Sequence, residues 1–341
     1  MKNFKVIIIL LTSIQSFGMA KLTESECSQI DIRENMSPGM RKHFSSPRDQ
    51  DSIGWCYGFT ASDLISAEVG VPISSAHVSA IYNKSVDNST FMKLGYNIGN
   101  LIINDKFEDV YEGGYASMAI RKSSNGQELC RESEFPFDKN NYGDTQSLIL
   151  RLESIREHIK SSDSKSKKLI CSEVEAINTD YNLSIDATKL QLALEKESLN
   201  ALLEKIIDDH CKNKVKIPKF SVRTMKKPKR LSGRQHERHE HARDIKKYFK
   251  KIGAQLAKGK PVGVSYGANQ IASSGTNHSS VLIGRAWSDG QCLFEIRNSW
   301  GKGCEAYDRD KIELCNSFKG SFWVSDEKFY KMVYEVQYID N

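Results

Sequence analysis

The sequence predicts an α+β protein in which a helical lobe, a charged helical insertion and a β-rich lobe follow one another. Apolar residues recur at helical spacing in the first two thirds of the chain, and short β-rich runs dominate the last part. The composition changes at about residue 139, where Lys, Glu, Ser and Asp become frequent. We therefore predict a leader at 1–20, a lead-in and helical lobe at 21–138, an insertion at 139–244 and a β-rich lobe at 245–341.

The helical lobe is predicted from three short segments. One helix begins at Cys56, a second follows a turn at 71–75 that ends in a serine cap and runs through Tyr82, and a third covers 116–121. The preceding lead-in, residues 21–48, is polar and is expected to lie irregularly over the surface.

The insertion and the β-rich lobe are predicted from their periodicity. Two apolar stripes indicate a pair of inserted helices, and four β-rich runs indicate an antiparallel sheet or small barrel. The stripes are Leu148, Leu152, Ile155 and Ile159, then Leu199, Leu202, Leu203 and Ile206. The β-rich runs are 261–266, 280–284, 293–297 and 322–324.

The charge limits the classes of partner. Lys and Arg number 49 against 43 for Asp and Glu, and a net charge of +6 gives no reason to expect nucleic acid. The basic stretch at 223–251 could make weak contact with an anionic surface, although a solvated charged face is the simpler explanation. His236, His239 and His241 lack zinc-site spacing and lie among arginines, so neither a metal nor a cofactor is predicted.

The first twenty residues are typical of a secretory signal peptide. Lys2 and Lys5 precede an apolar run at 6–11, and Ala20 ends a small-residue cleavage site. No later segment has 18 consecutive apolar residues, so we expect an exported protein, periplasmic or extracellular, without a transmembrane segment.

Export permits disulfides among the eight cysteines. Cys304 with Cys315, which would close a short loop, is the one pair that we name as a guess. If Cys56 is a working thiol, seven cysteines remain, and at least one of them stays free or pairs between chains.

Four residues have the side chains that nucleophilic catalysis by cysteine needs. Cys56 stands at a helix start, where the helix dipole favours a thiolate. A base must take the thiol proton and a third group must orient that base. His278 at the mouth of one β-rich run and Asn298 at the end of the next supply these groups, and Gln50 supplies an N–H donor for an oxyanion.

These residues belong to an ordered set of motifs that resembles the papain family of cysteine peptidases. The set covers roughly 45–138 and 245–330. The family places its His and Asn about 130–150 residues after the cysteine, and the excess here, roughly ninety residues, is about the size of the insertion. The motifs are Gln50 six residues before Cys56, Cys56-Tyr57-Gly58-Phe59, Gly113-Gly114, Phe135-Pro136-Phe137, Pro261-Val262, Asn277-His278 and Asn298-Ser299-Trp300-Gly301.

The resemblance implies a papain-like two-lobe fold and a peptidase that needs no cofactor and acts on peptides or proteins. It implies that Cys56 is the nucleophile, paired as a thiolate with the imidazolium of His278, and that Asn298 holds the imidazole ring. It also implies that Trp300 shields that hydrogen bond and that Gln50 helps to form the oxyanion hole.

The substrate contacts that the resemblance implies are less specific. Gly113 and Gly114 would bind substrate backbone, where a side chain would block approach. Tyr115 and Ser279 are candidates for the pocket that selects the side chain before the cut bond. Weaker candidates for the same pocket are Ala116 and Ser265.

The sequence also departs from the family. A disulfide usual in the family is missing, because Ile53 and Tyr111 stand where its two cysteines would be. Trp55 and Tyr57 enlarge the surroundings of Cys56 and are expected to narrow the groove. Two other functions stay open: a catalytically silent homologue that binds peptides or a partner, and an acyl transferase or transpeptidase that passes the acyl group to an amine.

Overall fold

The computed structural model describes residues 21–90, 110–137, 144–160, 164–228, 235–273 and 275–340, without the side chains of 164–168 and 235–239. The predicted leader at 1–20 lies outside the described residues, as do the side chains of His236 and His239. Within these ranges the chain forms a helical lobe and an antiparallel sheet, which confirms the predicted α+β class.

The described part of the chain contains ten helices and ten strands. The helices are α1 (Pro38–Ser45), α2 (Cys56–Val69), α3 (Ser75–Asp87), α4 (Ala116–Lys122), α5 (Thr145–Lys160), α6 (Ser164–Asp180), α7 (Ala187–Lys196), α8 (Leu199–His210), α9 (Gln235–Ala257) and α10 (Asp326–Met332). The strands are β1 (Ile30–Asp31), β2 (Glu128–Leu129), β3 (Val215–Lys216), β4 (Val222–Lys226), β5 (Val262–Gly267), β6 (Asn277–Ser288), β7 (Gln291–Arg297), β8 (Leu314–Asn316), β9 (Ser321–Ser325) and β10 (Val333–Ile339).

The helical lobe is built around α2, which is buried on all sides from Cys56 to Ser66. It ends at Gly70, whose φ of 71° is the left-handed conformation that glycine adopts without a steric penalty. Helix α3 begins as predicted, because the side chain of Ser74 accepts a hydrogen bond from the His77 N–H. Both helices pack against α4.

The β lobe is a single antiparallel sheet in the order β4-β10-β5-β6-β7-β9-β8, with β1 paired to β6. Four of its strands contain the predicted β-rich runs, and they bury mainly Val, Leu, Ile and Phe side chains. Helix α9 packs on this sheet through Tyr248 and Phe249, and the Phe249 ring stacks on Phe294 at 5.5 Å. The long central strands β6 and β7 are neighbours, which decides where the site can form.

The lead-in differs from the prediction, because it is part of the β-lobe core rather than an irregular surface segment. Ile32 and Phe44 are fully buried, and β1 pairs with Gly284 and Arg285 of β6. Cys27 forms a disulfide with Cys292 of β7. Too few apolar residues stand at regular spacing here for a pattern to appear, and the disulfide partner is 265 residues away.

The inserted helices pack on the helical lobe. Helices α5 and α8 contain the two predicted apolar stripes, and α8 lies against α3. A disulfide between Cys130 and Cys211 and an ion pair of 2.7 Å between Lys84 and Glu204 attach α8 to that lobe. Beyond the helices, β4 pairs with β10 and so belongs to the large sheet.

The remaining cysteines agree with the expectations. Cys304 and Cys315 form a disulfide as guessed, and two cysteines are free, Cys56 in the interior and Cys171 on the surface. None of the helices in the described ranges combines the length and the apolar character that crossing a membrane requires.

Candidate active site

Cys56 is the first residue of α2, and its sulfur lies where the two lobes meet. The backbone N–H groups of Ser279, Tyr57 and Cys56 itself lie close enough to the sulfur to lower the pKa of the thiol. Tyr57 belongs to the helix terminus, whereas Ser279 belongs to β6 of the other lobe. The helix start therefore brings the thiol to the residue that directly follows His278.

His278 is held in one orientation by Asn298. Its Nε2 lies 2.7 Å from Asn298 Oδ1, which also accepts hydrogen bonds from Ser299 N and from Ser280 Oγ, each at 2.9 Å. A backbone N–H can only donate, so this atom of Asn298 must be the oxygen. His278 Nε2 therefore carries a proton, and Nδ1 is the nitrogen that can take one from the thiol.

The register of the sheet explains why these side chains meet. His278 is near the start of β6, and Asn298 directly follows the end of β7, the antiparallel neighbour. The Trp300 ring lies 4.7 Å from the imidazole ring, centroid to centroid, and the Tyr307 ring stacks on Trp300. These rings cover the bond between imidazole and amide on the solvent side.

The side-chain amide of Gln50 can donate a hydrogen bond to a bound oxyanion. Its Nε2 donates to the carbonyl oxygen of Ile53 at 2.8 Å, and its Oε1 accepts from Ser299 Oγ at 2.6 Å. Because a carbonyl only accepts, Nε2 is the donor here, and within the described residues its second hydrogen can still be donated to an oxyanion. The Gln50 side chain is buried, which keeps this donor fixed.

Burial favours the uncharged forms of both Cys56 and His278. Burial raises the pKa of the Cys56 thiol to about 11, although the backbone N–H groups of Ser279, Tyr57 and Cys56 lower it in part. Burial also lowers the pKa of His278 to about 4, against the opposing effect of the hydrogen bond that His278 donates to Asn298. For each group taken alone, burial therefore opposes the thiolate–imidazolium pair that the resemblance implies. Moving the proton from sulfur to Nδ1 creates both charges together, so that each stabilises the other.

The glycine pair borders the site from the helical lobe. Gly113 has a φ of 81°, and its N–H donates to the carbonyl oxygen of Gly54 at 2.8 Å. A Cβ on Gly114 would lie 2.7 Å from the Tyr82 ring and 2.9 Å from the Tyr57 ring, so only glycine fits. Tyr115 follows and is 67% exposed, so its ring is accessible to a bound molecule.

Ser279 and Ser265, both predicted to line a substrate pocket, lie opposite each other on β6 and β5. The Ser279 side chain is buried and faces a small internal cavity together with Thr60 and Val281. The part of Ser279 that lies near the Cys56 sulfur is its backbone N–H and not its hydroxyl group.

The position of the missing disulfide is occupied by hydrogen bonds. Gly54 N donates to Glu112 Oε1 at 2.8 Å, and Trp55 Nε1 donates to the Tyr111 carbonyl oxygen at 3.0 Å. Trp55 and Tyr57 are fully buried in the helical lobe, so the expectation that they narrow the groove is wrong.

Several residues near the site were not predicted. Ser280 stands two residues after His278 and therefore on the same face of β6. The alternation of side chains along a strand could have predicted this position. Tyr307, whose hydroxyl accepts from Asn298 Nδ2 at 3.0 Å, lies in a loop with no recognisable pattern. Tyr334 on β10 is 41% exposed, and burial, followed by its proximity to Cys56, raises its pKa to about 12.

Metal binding has little support in the described residues. The one group there with suitable spacing is Cys130, Glu134 and Cys211, and both sulfurs are joined in a disulfide. His241 instead packs edge-on against the Tyr330 ring at 6.4 Å.

Comparison with solved structures gives distant matches along most of the chain. SERA5E from Plasmodium falciparum is 11% identical, with 92% of this chain and 94% of that chain covered and a TM-score of 0.47. The Amb a 11 cysteine protease of ragweed pollen, in its proform, is 11% identical over 91% of this chain and 64% of that chain, with a TM-score of 0.41. The bromelain protease from Ananas comosus is 12% identical over 91% and 97%, with a TM-score of 0.39.

The solved neighbours are papain-like cysteine proteases. This is the family that the sequence motifs resemble. No family model and no curated protein matches the chain. A catalytic role for these residues has to stand on their own geometry.

Proposed function

We propose that this chain is a cysteine peptidase that hydrolyses peptide bonds through a thioester on Cys56. The observation that carries the proposal is the contact between lobes at one sulfur. The Ser279 N–H lies close enough to the Cys56 sulfur to lower the pKa of the thiol, and the preceding His278 is held by Asn298 so that Nδ1 is the basic nitrogen. A nucleophile, a base and a group that orients the base thus converge from distant parts of the chain.

Each chemical step has a residue to perform it. Nδ1 of His278 takes the thiol proton as the sulfur bonds to the substrate carbonyl carbon. The developing oxyanion accepts hydrogen bonds from the second Nε2 hydrogen of Gln50 and from the Cys56 N–H, and one such donor contributes about 2.7–4 kcal/mol. The His278 imidazolium then protonates the leaving amine, and water, deprotonated by His278, releases the acyl group from Cys56.

The substrate in this proposal is an extended peptide bound beside Gly113 and Gly114. Their exposed backbone faces the groove, and the accessible ring of Tyr115 and the partly exposed ring of Tyr334 offer apolar contacts. The pocket residue Ser279 takes part through its backbone in this proposal, because its side chain is buried.

The protein is exported in this proposal. Three disulfides support that location, because such bonds persist in oxidising compartments. Weak contact with an anionic surface is a secondary proposal for α9, whose exposed face includes Arg243, Lys247 and Lys250.

Labelling with a thiol-directed epoxide inhibitor of cysteine peptidases tests the proposal. We expect stoichiometric labelling that Cys56→Ala abolishes and that Cys171→Ala, which removes the other free thiol, leaves unchanged. Hydrolysis of a mixed peptide library should show the same dependence. A folded protein that is neither labelled nor active would instead be the silent peptide-binding homologue.

An added amine separates hydrolysis from acyl transfer. We expect the free carboxylic acid as the main product even with the amine in excess. A product that contains the amine in proportion to its concentration would assign the chain to the acyl transferases.

A further inference from the structure

A buried carboxylate on the nucleophile helix holds two arginines of the site region. Asp63 lies two turns along α2 from Cys56, and its side chain is 3% exposed. Its Oδ1 accepts a hydrogen bond from Arg48 Nη1 at 2.9 Å, and its Oδ2 accepts one from Arg297 Nη1. His43 Nε2 lies 2.9 Å from Oδ1 as well. Each carboxylate oxygen therefore binds one guanidinium.

Both arginines are close neighbours of site residues along the backbone. Arg297 directly precedes Asn298, and Arg48 stands two residues before Gln50. The two segments also pair with each other, because Gly301 N donates to Arg48 O at 2.8 Å and Gln50 N to Ser299 O at 2.9 Å. Residues 48–50 and 297–301 thus form two paired arms, one carrying the oxyanion donor and the other the amide that orients His278.

The guanidiniums are tied to more than Asp63. Arg297 Nη2 donates to the carbonyl oxygens of His43 and Ser46, at 2.8 and 3.1 Å. Arg48 donates to Glu132 Oε2 at 2.9 Å, as well as to the hydroxyls of Ser62 and Ser75. Two acids thus balance two arginines, which is the arrangement that keeps a buried ionic cluster from being strongly unfavourable.

We propose that Asp63 is a positioning residue that fixes the arms carrying Gln50 and Asn298 against the helix that carries Cys56. This inference deepens the proposed peptidase function and rests on it. The three disulfides lie within one lobe or the other, Cys130–Cys211 in the helical lobe and the other two in the β lobe. The alignment of the two lobes therefore depends on noncovalent contacts. Among these, the two ion pairs of Asp63 join charged groups through directional hydrogen bonds.

A matched control lies on the same strand. Glu295 of β7 is also buried, and it accepts hydrogen bonds from Arg33 Nη2 at 2.6 Å and from Ser321 Oγ at 2.9 Å. Arg33 belongs to the lead-in and Ser321 to β9, so this cluster joins parts of the β lobe only. Glu295→Gln thus removes a buried charge two residues from Arg297 without touching α2.

The test compares Asp63→Asn with Glu295→Gln in the full chain, with Cys171→Ser in every variant. Two readouts are measured: the alkylation rate of Cys56 by iodoacetamide as a function of pH, and kcat and KM on a peptide substrate. For Asp63→Asn we expect kcat to fall about 10- to 100-fold, the usual effect of misplacing catalytic groups by about an ångström. We also expect KM to change little and the alkylation profile to shift, whereas Glu295→Gln leaves kcat and the profile at wild-type values.

The outcomes separate this inference from the proposed function. Equal alkylation profiles and equal kcat in Asp63→Asn and Glu295→Gln would overturn the positioning role and leave the peptidase intact. A wild-type protein without peptidase activity would end the proposed function, and a shifted profile in Asp63→Asn alone would still establish that Asp63 sets the geometry at Cys56.

A second variant covers a failure to fold. Arg297→Lys keeps the charge but loses the fork that reaches Asp63 and the two carbonyl oxygens together, so it should show the same shift in milder form. If both variants unfold while Glu295→Gln folds, the cluster serves folding only and the proposal is wrong.

Discussion

The two lobes hold their parts of the site in different ways. The helical lobe fixes Cys56 by its backbone, because the first turns of α2 are enclosed in apolar side chains. The β lobe fixes His278 through side chains, with Asn298 receiving three hydrogen bonds on Oδ1 and donating one to Tyr307. A position set by the backbone survives the loss of one polar contact, whereas a ring set by side chains does not. We therefore expect substitutions in the helical lobe to reduce stability and those in the β lobe to reduce rate.

The largest effect should come from Asn298→Ala. This change leaves His278 Nε2, Ser280 Oγ and Ser299 N without their common acceptor, so the imidazole can turn and exchange tautomers. Loss of an orienting group of this kind lowers kcat by about 10²- to 10⁴-fold. The epoxide labelling rate of Cys56 measures the effect without a known substrate.

Tyr307→Phe is the control for Asn298→Ala. It removes the hydroxyl that accepts from Asn298 Nδ2 and leaves the bond to His278 in place. Labelling should slow by only a few fold. A loss as large as that of Asn298→Ala would mean that the amide is held mainly by Tyr307.

Acid should destabilise both lobes through buried neutral histidines. Burial lowers the pKa of His77 in the helical lobe to about 4, with a smaller opposing effect from Asp208, and burial lowers that of His278 to about 4. The unfolded chain binds these protons near pH 6.5, so the contribution of the two histidines to the free energy of unfolding falls as the pH drops from about 6.5 to 4 and levels off below. Each histidine contributes about 3 kcal/mol to this fall.

His77→Asn isolates the contribution of the helical lobe. The Asn oxygen can replace Nδ1 as the acceptor of the Cys130 N–H, which lies 3.0 Å from that nitrogen, but it does not titrate. Urea unfolding at a series of pH values should show a shallower acid dependence in this variant. An unchanged slope would place the acid sensitivity in the β lobe, at His278.

Glycine substitutions test how closely the helical lobe is packed beside the groove. Gly114→Ala places a methyl group against the rings of Tyr82 and Tyr57, and overpacking of this kind costs about 1–3 kcal/mol. In Gly113→Ala the added methyl group meets no atom within 4 Å, so the loss of stability comes only from the positive φ and is about 1 kcal/mol. Thermal unfolding should rank the two in that order, and the reverse order would show that backbone conformation outweighs packing here.

Much of the fold could be predicted because periodicity is local. The apolar stripes of α5 and α8 and the β-rich runs of the sheet are visible in short windows, and Ser74 marks the start of α3. The lead-in could not be predicted, since its burial comes from Cys292 and from the edge of β6, far along the chain.

The sequence shows the candidate catalytic residues but not the groups that hold them in place. Gln50, Cys56, His278 and Asn298 stand in recognisable sequence contexts, whereas Tyr307 and Asp63 act through contacts that arise only on folding. The expectation that Trp55 and Tyr57 narrow the groove was wrong for a related reason. Periodicity cannot show which way a side chain points when a helix is buried all round.

The sharpest comparison of the lobes removes the same atom from each. Tyr57 and Tyr266 are both fully buried, and each hydroxyl makes one described hydrogen bond, to Asn83 Oδ1 at 2.6 Å and to Ser280 Oγ at 2.8 Å. Ser280 donates its own hydroxyl hydrogen to Asn298, so Tyr266 is the donor in the second pair. Tyr266 thereby supports the Asn298 amide that orients His278. Tyr57 is adjacent to the nucleophile in sequence, and its described hydrogen bond goes to Asn83 on α3, within the helical lobe.

Tyr57→Phe and Tyr266→Phe should therefore lose similar stability, about 1 kcal/mol each, the usual worth of a buried hydrogen bond. Only Tyr266→Phe should slow the labelling of Cys56, by a few fold, because the change passes through Ser280 to Asn298. Thermal unfolding and epoxide labelling of the same preparations measure both quantities. If Tyr57→Phe slowed labelling as much, the position of Cys56 would depend on its own side-chain neighbours, and the contrast between a backbone-fixed nucleophile and a side-chain-fixed base would not hold.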